Sequence, residues 1–135
     1  MRAHFAAVKA RAESDTTLTG KVFDTIKPTD GTAPERTTYV LLFGGGPDLN
    51  DGRLTAPNAP TADADYLYTG RCVSTSPDVV RSVQSKMIAL FAGHRLIVPN
   101  RACSPAEIEA YPVEYDATLN LYFADVDIEL HSSRV

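Results

Sequence analysis

The chain has 135 residues, 44% hydrophobic and 22% charged, which suits one globular domain over 1–135 that buries roughly two-thirds of the surface its unfolded form exposes. A formal net charge of -4, with 13 Lys and Arg scattered among 17 Asp and Glu, argues against a general nucleic-acid binder, which needs a basic face to neutralise phosphates. Residues 1–15 lack the uninterrupted apolar core of a signal peptide, and no later stretch approaches the ~20 apolar residues of a membrane span. Cys72 and Cys103 have no Cys or His at the short spacing of a zinc or redox motif, so both are expected to be reduced packing residues in a soluble, cytoplasmically made chain.

In "RAHFAAVKARAESD", Phe5, Val8 and Ala12 recur at helical spacing, predicting a first helix of about three turns. "KVFDTI" reads as a short strand, stopped by Pro28 and by the turn formers of "PTDGTAP". "TTYVLLFGG" is predicted as a central strand, apolar on both faces from Val40 to Phe43. "DYLYTGRCVST" supplies the next strand, with Tyr66, Tyr68 and Cys72 on one face and Leu67, Thr69, Arg71 and Val73 on the other.

The strongest local signal follows. Ser76 stands as N-cap, Pro77 and Asp78 open a helix, Val80, Val83, Met87, Leu90 and Phe91 form its apolar stripe, and Gly93 stops it, which predicts a helix over 77–92. "HRLIVPN" is expected to be a strand broken by Pro99. "IEAYPVEYD" and "LYFADVDIELHS" are expected to close the fold as an antiparallel pair. In the last, Tyr122, Ala124, Val126, Ile128 and Leu130 alternate with Asp125, Asp127, Glu129 and His131, so one face is core and the other is wet or meets a partner. Strands in runs with only two helices predict an α+β class: a mostly antiparallel sheet packed on one face by both helices.

Between the second and third strands, residues 44–65 read as one long loop or hairpin arm. Gly44, Gly45 and Gly46 run into Pro47 with no helix behind them and no Walker spacing, so a phosphate cradle is not expected. Asp48 to Gly52 has its glycine one residue too early for an EF-hand loop, and Ala59 stands where the bidentate Glu belongs. Loops of this length in a compact domain are uncommon. The segment is therefore either a solvated loop or an arm, carrying Gly44–Gly46, Asp48, Asp51 and Arg53, that orders on assembly.

Asp125, Asp127 and Glu129 could hold Mg²⁺ in a metal-dependent hydrolase, but no Lys flanks them, and an acidic row is also the ordinary outer face of an edge strand. His94 and His131 are candidate bases without a partner motif, and no nucleophile elbow is present. No catalytic residue, cofactor or metal ligand is assigned.

Five blocks of the chain together resemble one known family. They are the first helix, "GKVFDTIKPTDGTAPERTTYVLL", the glycine-started loop, "YLYTGRCVSTSPDVVRSVQSKMIALFAGHRLIV" and the acidic "YFADVDIEL". Their succession, over essentially the whole chain, resembles the tail terminator proteins of long-tailed, siphovirus-type bacteriophages. That resemblance implies an α+β virion subunit, assembled in the host cytoplasm, that forms a ring, commonly a hexamer, at the head-proximal end of the tail. The ring caps the major tail tube protein, stops tail polymerisation and offers a surface to the head–tail connector or head-closure protein. It implies no enzyme activity and no cofactor. A neighbouring head-closure (neck) role is the closest alternative. In a ring the charged rows gain a use: Asp125, Asp127 and Glu129 as one side of a subunit contact, with arginines such as Arg36, Arg53, Arg71, Arg95 and Arg101 as the other.

Overall fold

A computed structural model of the chain describes residues 2–23, 28–29, 33–34, 38–49 and 64–134. The elements in order are α1 (Arg2–Glu13), β1 (Val22–Phe23), β2 (Pro28–Thr29), β3 (Ala33–Pro34), β4 (Tyr39–Leu49), β5 (Ala64–Ser74), α2 (Pro77–Phe91), β6 (Arg101–Cys103), β7 (Glu107–Ala110), β8 (Glu114–Asp116) and β9 (Leu121–Arg134). The main sheet runs β1-β4-β5-β9, and the far side of β9 is shared in turn by β6, β7 and β8. Pairing is antiparallel except between β1 and β4. β2 and β3 pair with each other on either side of the predicted Asp30-Gly31 turn. The class is α+β, as expected.

Both helices lie on one face. Val80, Val83, Met87 and Phe91, spaced three and four apart, are the buried residues of α2, and each stabilises by about 1.5–3 kcal/mol through apolar burial. They join Val8 and Ala12 of α1, Tyr66, Tyr68 and Cys72 of β5, and Ala124, Val126, Ile128 and Leu130 of β9 in one core. Gly70 permits the close approach of α2, since a Cβ there would lie 3.0 Å from Met87 Cε. α1 is tied down by Arg11 Nε, which donates to Leu90 O (2.9 Å), and by a 2.8 Å bond between buried His4 Nε2 and Ser132 Oγ. His4 also stacks on Tyr66 with ring centroids 4.0 Å apart.

Ser76 occupies the position before α2 with an extended backbone, but its side chain makes no capping bond; its carbonyl accepts from Val80 N instead (3.1 Å). Pro112, which cannot donate to a ladder, separates β7 from β8, so the predicted closing pair is two short strands against one long one.

One expectation is corrected and a second is narrowed. "HRLIVPN" is not a strand: Leu96 and Val98 are buried and Ile97 is 90% exposed, as in a strand, but the only pairing described is the bridge from Arg95 to Pro105. Backbone bonds from Gly93 N to Ala106 O (3.0 Å) and from Ala106 N to His94 O (2.8 Å) hold only the start of the segment, and the pairing does not extend into a ladder over Leu96–Val98. The second concerns the arm: of the loop and hairpin alternatives its base is a hairpin, and the expected start at residue 44 lies inside β4. That strand continues to Leu49, pairing Gly44 with Tyr68, Pro47 with Tyr66 and Leu49 with Ala64 through a β-bulge between Gly44 and Pro47. Gly44 has φ +90°, and a Cβ on it would sit 2.8 Å from Leu67 O. The glycine run therefore builds a bulge, where an L side chain would be strained and would clash. Asp51 and Arg53, the remaining arm residues, lie outside the described residues, as does Arg36.

Candidate functional site

Among the described residues, the sheet face away from the helices is partly exposed. One end is closed by a small apolar cluster of Tyr39, Val73 and Leu121, with Phe23, Leu41, Leu119 and Phe123 packed on it. Beyond it, cross-strand register lays out two successive rows, Leu41–Arg71–Asp125 and then Phe43–Thr69–Asp127–Glu109. The next row is Leu67–Glu129–Glu107. Phe43 and Leu67 are large apolar side chains left 41% and 48% exposed among these carboxylates.

Arg71 is the hub. Its Nε and Nη2 donate to Asp125 Oδ1 and Oδ2 at 2.8 and 3.1 Å, a two-pronged contact that joins β5 to β9. Its guanidinium also lies 4.5 Å from the Phe123 ring centroid and 5.8 Å from that of Phe43. The hydrogen bond to Asp125 raises the Arg71 pKa, with Glu114 and Asp116 adding to the field, so the group stays charged. Asp127 accepts from Thr69 Oγ1 (2.8 Å) and from Tyr111 OH (3.0 Å). The latter bond is the main reason the Tyr111 phenol is pushed up to about 12. Glu107 stands directly opposite Glu129, and Glu109 opposite Asp127, so like charges face each other across the β7–β9 ladder.

Two shallow concavities, about 480 and 380 Å³, meet at Asp127 on this face. They are open and acidic, with an apolar centre. Further along, His131 Nδ1 lies 2.9 Å from Asp65 Oδ1, while Ser104 Oγ accepts from the His131 main-chain N–H (2.9 Å), which ties the β5, β6 and β9 ends together. Burial pushes the Cys72 thiol up to about 12, which makes it a packing group, and Cys103 is also buried and free.

The structure thus gathers Asp125, Asp127, Glu129 and Arg71 on one surface, but Arg71 and Asp125 satisfy each other within the chain. Arg95 lies elsewhere, donating from Nη1 to Cys103 O (2.9 Å), and Arg101 donates to Ser132 Oγ and O (2.8 and 2.9 Å). Of the arm residues, Gly44, Gly45, Gly46 and Asp48 fall within β4. Among the described residues, no group of three or more His, Cys, Asp or Glu is arranged to hold a metal ion. Sequence reasoning missed Glu107 and Glu109, although the alternation in "EIEA" beside an acidic strand was the available signal, and it missed Phe43 and Leu67 as exposed apolar centres.

No protein-family model matches the chain, and no curated protein matches its sequence. Solved structures do. A chain from the virion of a native gene transfer agent particle aligns with TM-score 0.68 at 16% identity, covering 95% of this chain and 92% of its own. A second solved structure, which carries no functional description, aligns with TM-score 0.66 at 14% identity over 99% of this chain and 93% of its own. At such identities the likeness establishes a shared fold.

Proposed function

We propose that this chain is a structural subunit of a phage-type virion, and specifically a tail terminator: a ring-forming protein, hexameric in the family it resembles, that caps the tail tube and receives the head. The observation that carries the reading is the end-to-end fold match to a chain of a gene transfer agent virion, with almost no unmatched length on either side. It is joined by a sequence whose blocks follow the order of the terminator family. Fold alone does not define function. The sheet face away from the helices supplies the second support, because it is built for contact: apolar at Phe43 and Leu67, charged around them, and shallow.

A metal-dependent hydrolase fits less well. Arg71 already neutralises Asp125 through a two-pronged contact, and among the described residues no three His, Cys, Asp or Glu converge as ligands for a divalent cation. The role is therefore one of matched surfaces toward copies of itself, the tail tube protein and the head–tail connector, within the virion. Deleting the gene and imaging the particles tests it. Aberrantly long tails are expected; normal tails detached from heads would move the protein to the neck, as a head-closure subunit, and intact particles would remove it from both roles. Deleting residues 51–62, between β4 and β5, from an otherwise full chain tests the arm: a folded protein that no longer caps tails is expected, and tails of normal length would refute an arm there.

A further inference from the structure

Among the described residues the helices cover one face of the sheet, while Phe43 and Leu67 stay exposed on the other, and the charge of that face opposes packing against its own copy. A twofold contact whose axis runs through Glu107, Glu109 and Glu129 would set that row against itself, and like-charge juxtaposition opposes it. The row already carries like-charge pairs across its own ladder, so a cationic partner relieves a cost present in the isolated chain. The helix layer has the opposite character. Its described charged side chains are four cations, Lys9, Arg11, Arg81 and Lys86, against the carboxylates Glu13 and Asp78; Arg81 pairs with Asp78 (2.9 Å), while Arg11 and Lys86 donate to the neutral acceptors Leu90 O and Thr17 Oγ1 and keep their charge unpaired by these bonds. Its exposed residues include the small Ala6, Ala10, Ser85 and Ala89 and one larger apolar side chain, Val79 (39% exposed), which Phe43 and Leu67 of another copy can meet.

We propose that the acidic sheet face of one copy docks on the helix layer of the next, with Phe43 and Leu67 at the centre of the contact and Glu107 and Glu129 oriented toward Lys9 and Lys86. Two different surfaces then form every contact, and such a heterologous interface closes into a ring when its rotation permits. This rests on the ring-forming reading and gives that ring its interface.

The test uses two full-chain variants and native mass spectrometry. Glu107→Lys with Glu129→Lys makes the sheet face basic; Lys9→Glu with Lys86→Glu makes the helix layer acidic. All four positions are at least partly exposed, and the one described bond lost among them runs from Lys86 Nζ to Thr17 Oγ1 (2.8 Å) at the surface, so circular dichroism melts should show both variants folded, with Lys9→Glu/Lys86→Glu slightly below the wild type. Each variant alone is expected to associate at least about tenfold more weakly than wild type. Mixed in equal amounts they are expected to regain oligomers that contain the two variants in equal number, because only unlike copies then offer opposite charges. Variants that assemble like wild type, a mixture that forms no mixed oligomers, or a wild-type chain that stays monomeric at its highest soluble concentration would each overturn the proposal. Mixed oligomers alongside normal-length tails in the deletion strain would keep the interface and remove the terminator role; long tails without mixed oligomers would do the reverse.

Discussion

Replacing Gly44 with Ala probes the bulge at the base of the arm, and the structure provides its own control. Gly44 and Gly20 both have positive φ, +90° and +75°, so Ala at either position pays for the left-handed backbone, about 1–2 kcal/mol. They differ in surroundings. A Cβ on Gly20 meets nothing within 4 Å, whereas a Cβ on Gly44 lies 2.8 Å from Leu67 O, a backbone atom held in the β4–β5 and β5–β9 ladders. Relieving that clash means displacing the central strand, a misfit worth roughly a further 1–3 kcal/mol. Gly44→Ala should therefore lose about 2–5 kcal/mol and Gly20→Ala about 1–2. At this chain length a loss of 1 kcal/mol lowers Tm by about 3–5 °C, so calorimetry separates the two, and urea melts give the same order. Equal losses, to within about 0.5 kcal/mol, would mean that residue 44 is not in a strand pressed against residue 67.

Met87→Ala should cost about 2–5 kcal/mol, because its fully buried side chain joins α2 to β5, and a urea midpoint measures it. Arg71→Ala should cost only about 1–2 kcal/mol, since the pair with Asp125 is part-exposed and the aromatic contacts are small; Arg71→Lys, which keeps charge but not the fork, should fall between in the same assay. Burial, aided by nearby positive charge that includes Arg101, lowers the His4 pKa to about 4. The unfolded chain then binds that proton more readily, so stability should fall by up to about 3 kcal/mol as pH drops from about 6.5 to about 4. In His4→Gln that component of the pH profile should vanish; an unchanged slope would assign it to other groups.

Much of the fold is legible in the residues because its signals are local. Pro77, Asp78 and Gly93 fix α2 almost to the residue, since start and stop chemistry and the apolar period agree. The alternation of β9 gives its buried and open faces before any partner is known. What is not legible depends on register. Gly44–Gly46 reads as the start of a loop or hairpin arm because glycine disfavours strands locally, and only the antiparallel partner β5 selects the hairpin and makes the run a bulge. "HRLIVPN" has strand composition, but a strand also needs pairing that continues as a ladder. Arg71 and Asp125 lie 54 positions apart, so their bond, which removes both from the pool of unpaired interface charges, follows only from the β5–β9 alignment. The acidic surface itself was half visible, with β9 contributing the recognised carboxylates and β7 the overlooked ones.

The central claim, that this chain acts as an assembled part of a virion, is tested most directly by a cryo-electron microscopy reconstruction of the particle made by the genome that encodes it. A ring of this fold at the head-proximal end of the tail tube, with sheet faces seated on neighbouring helix layers, is the expected result. A tail-to-head junction whose density is fully accounted for by other chains would contradict it.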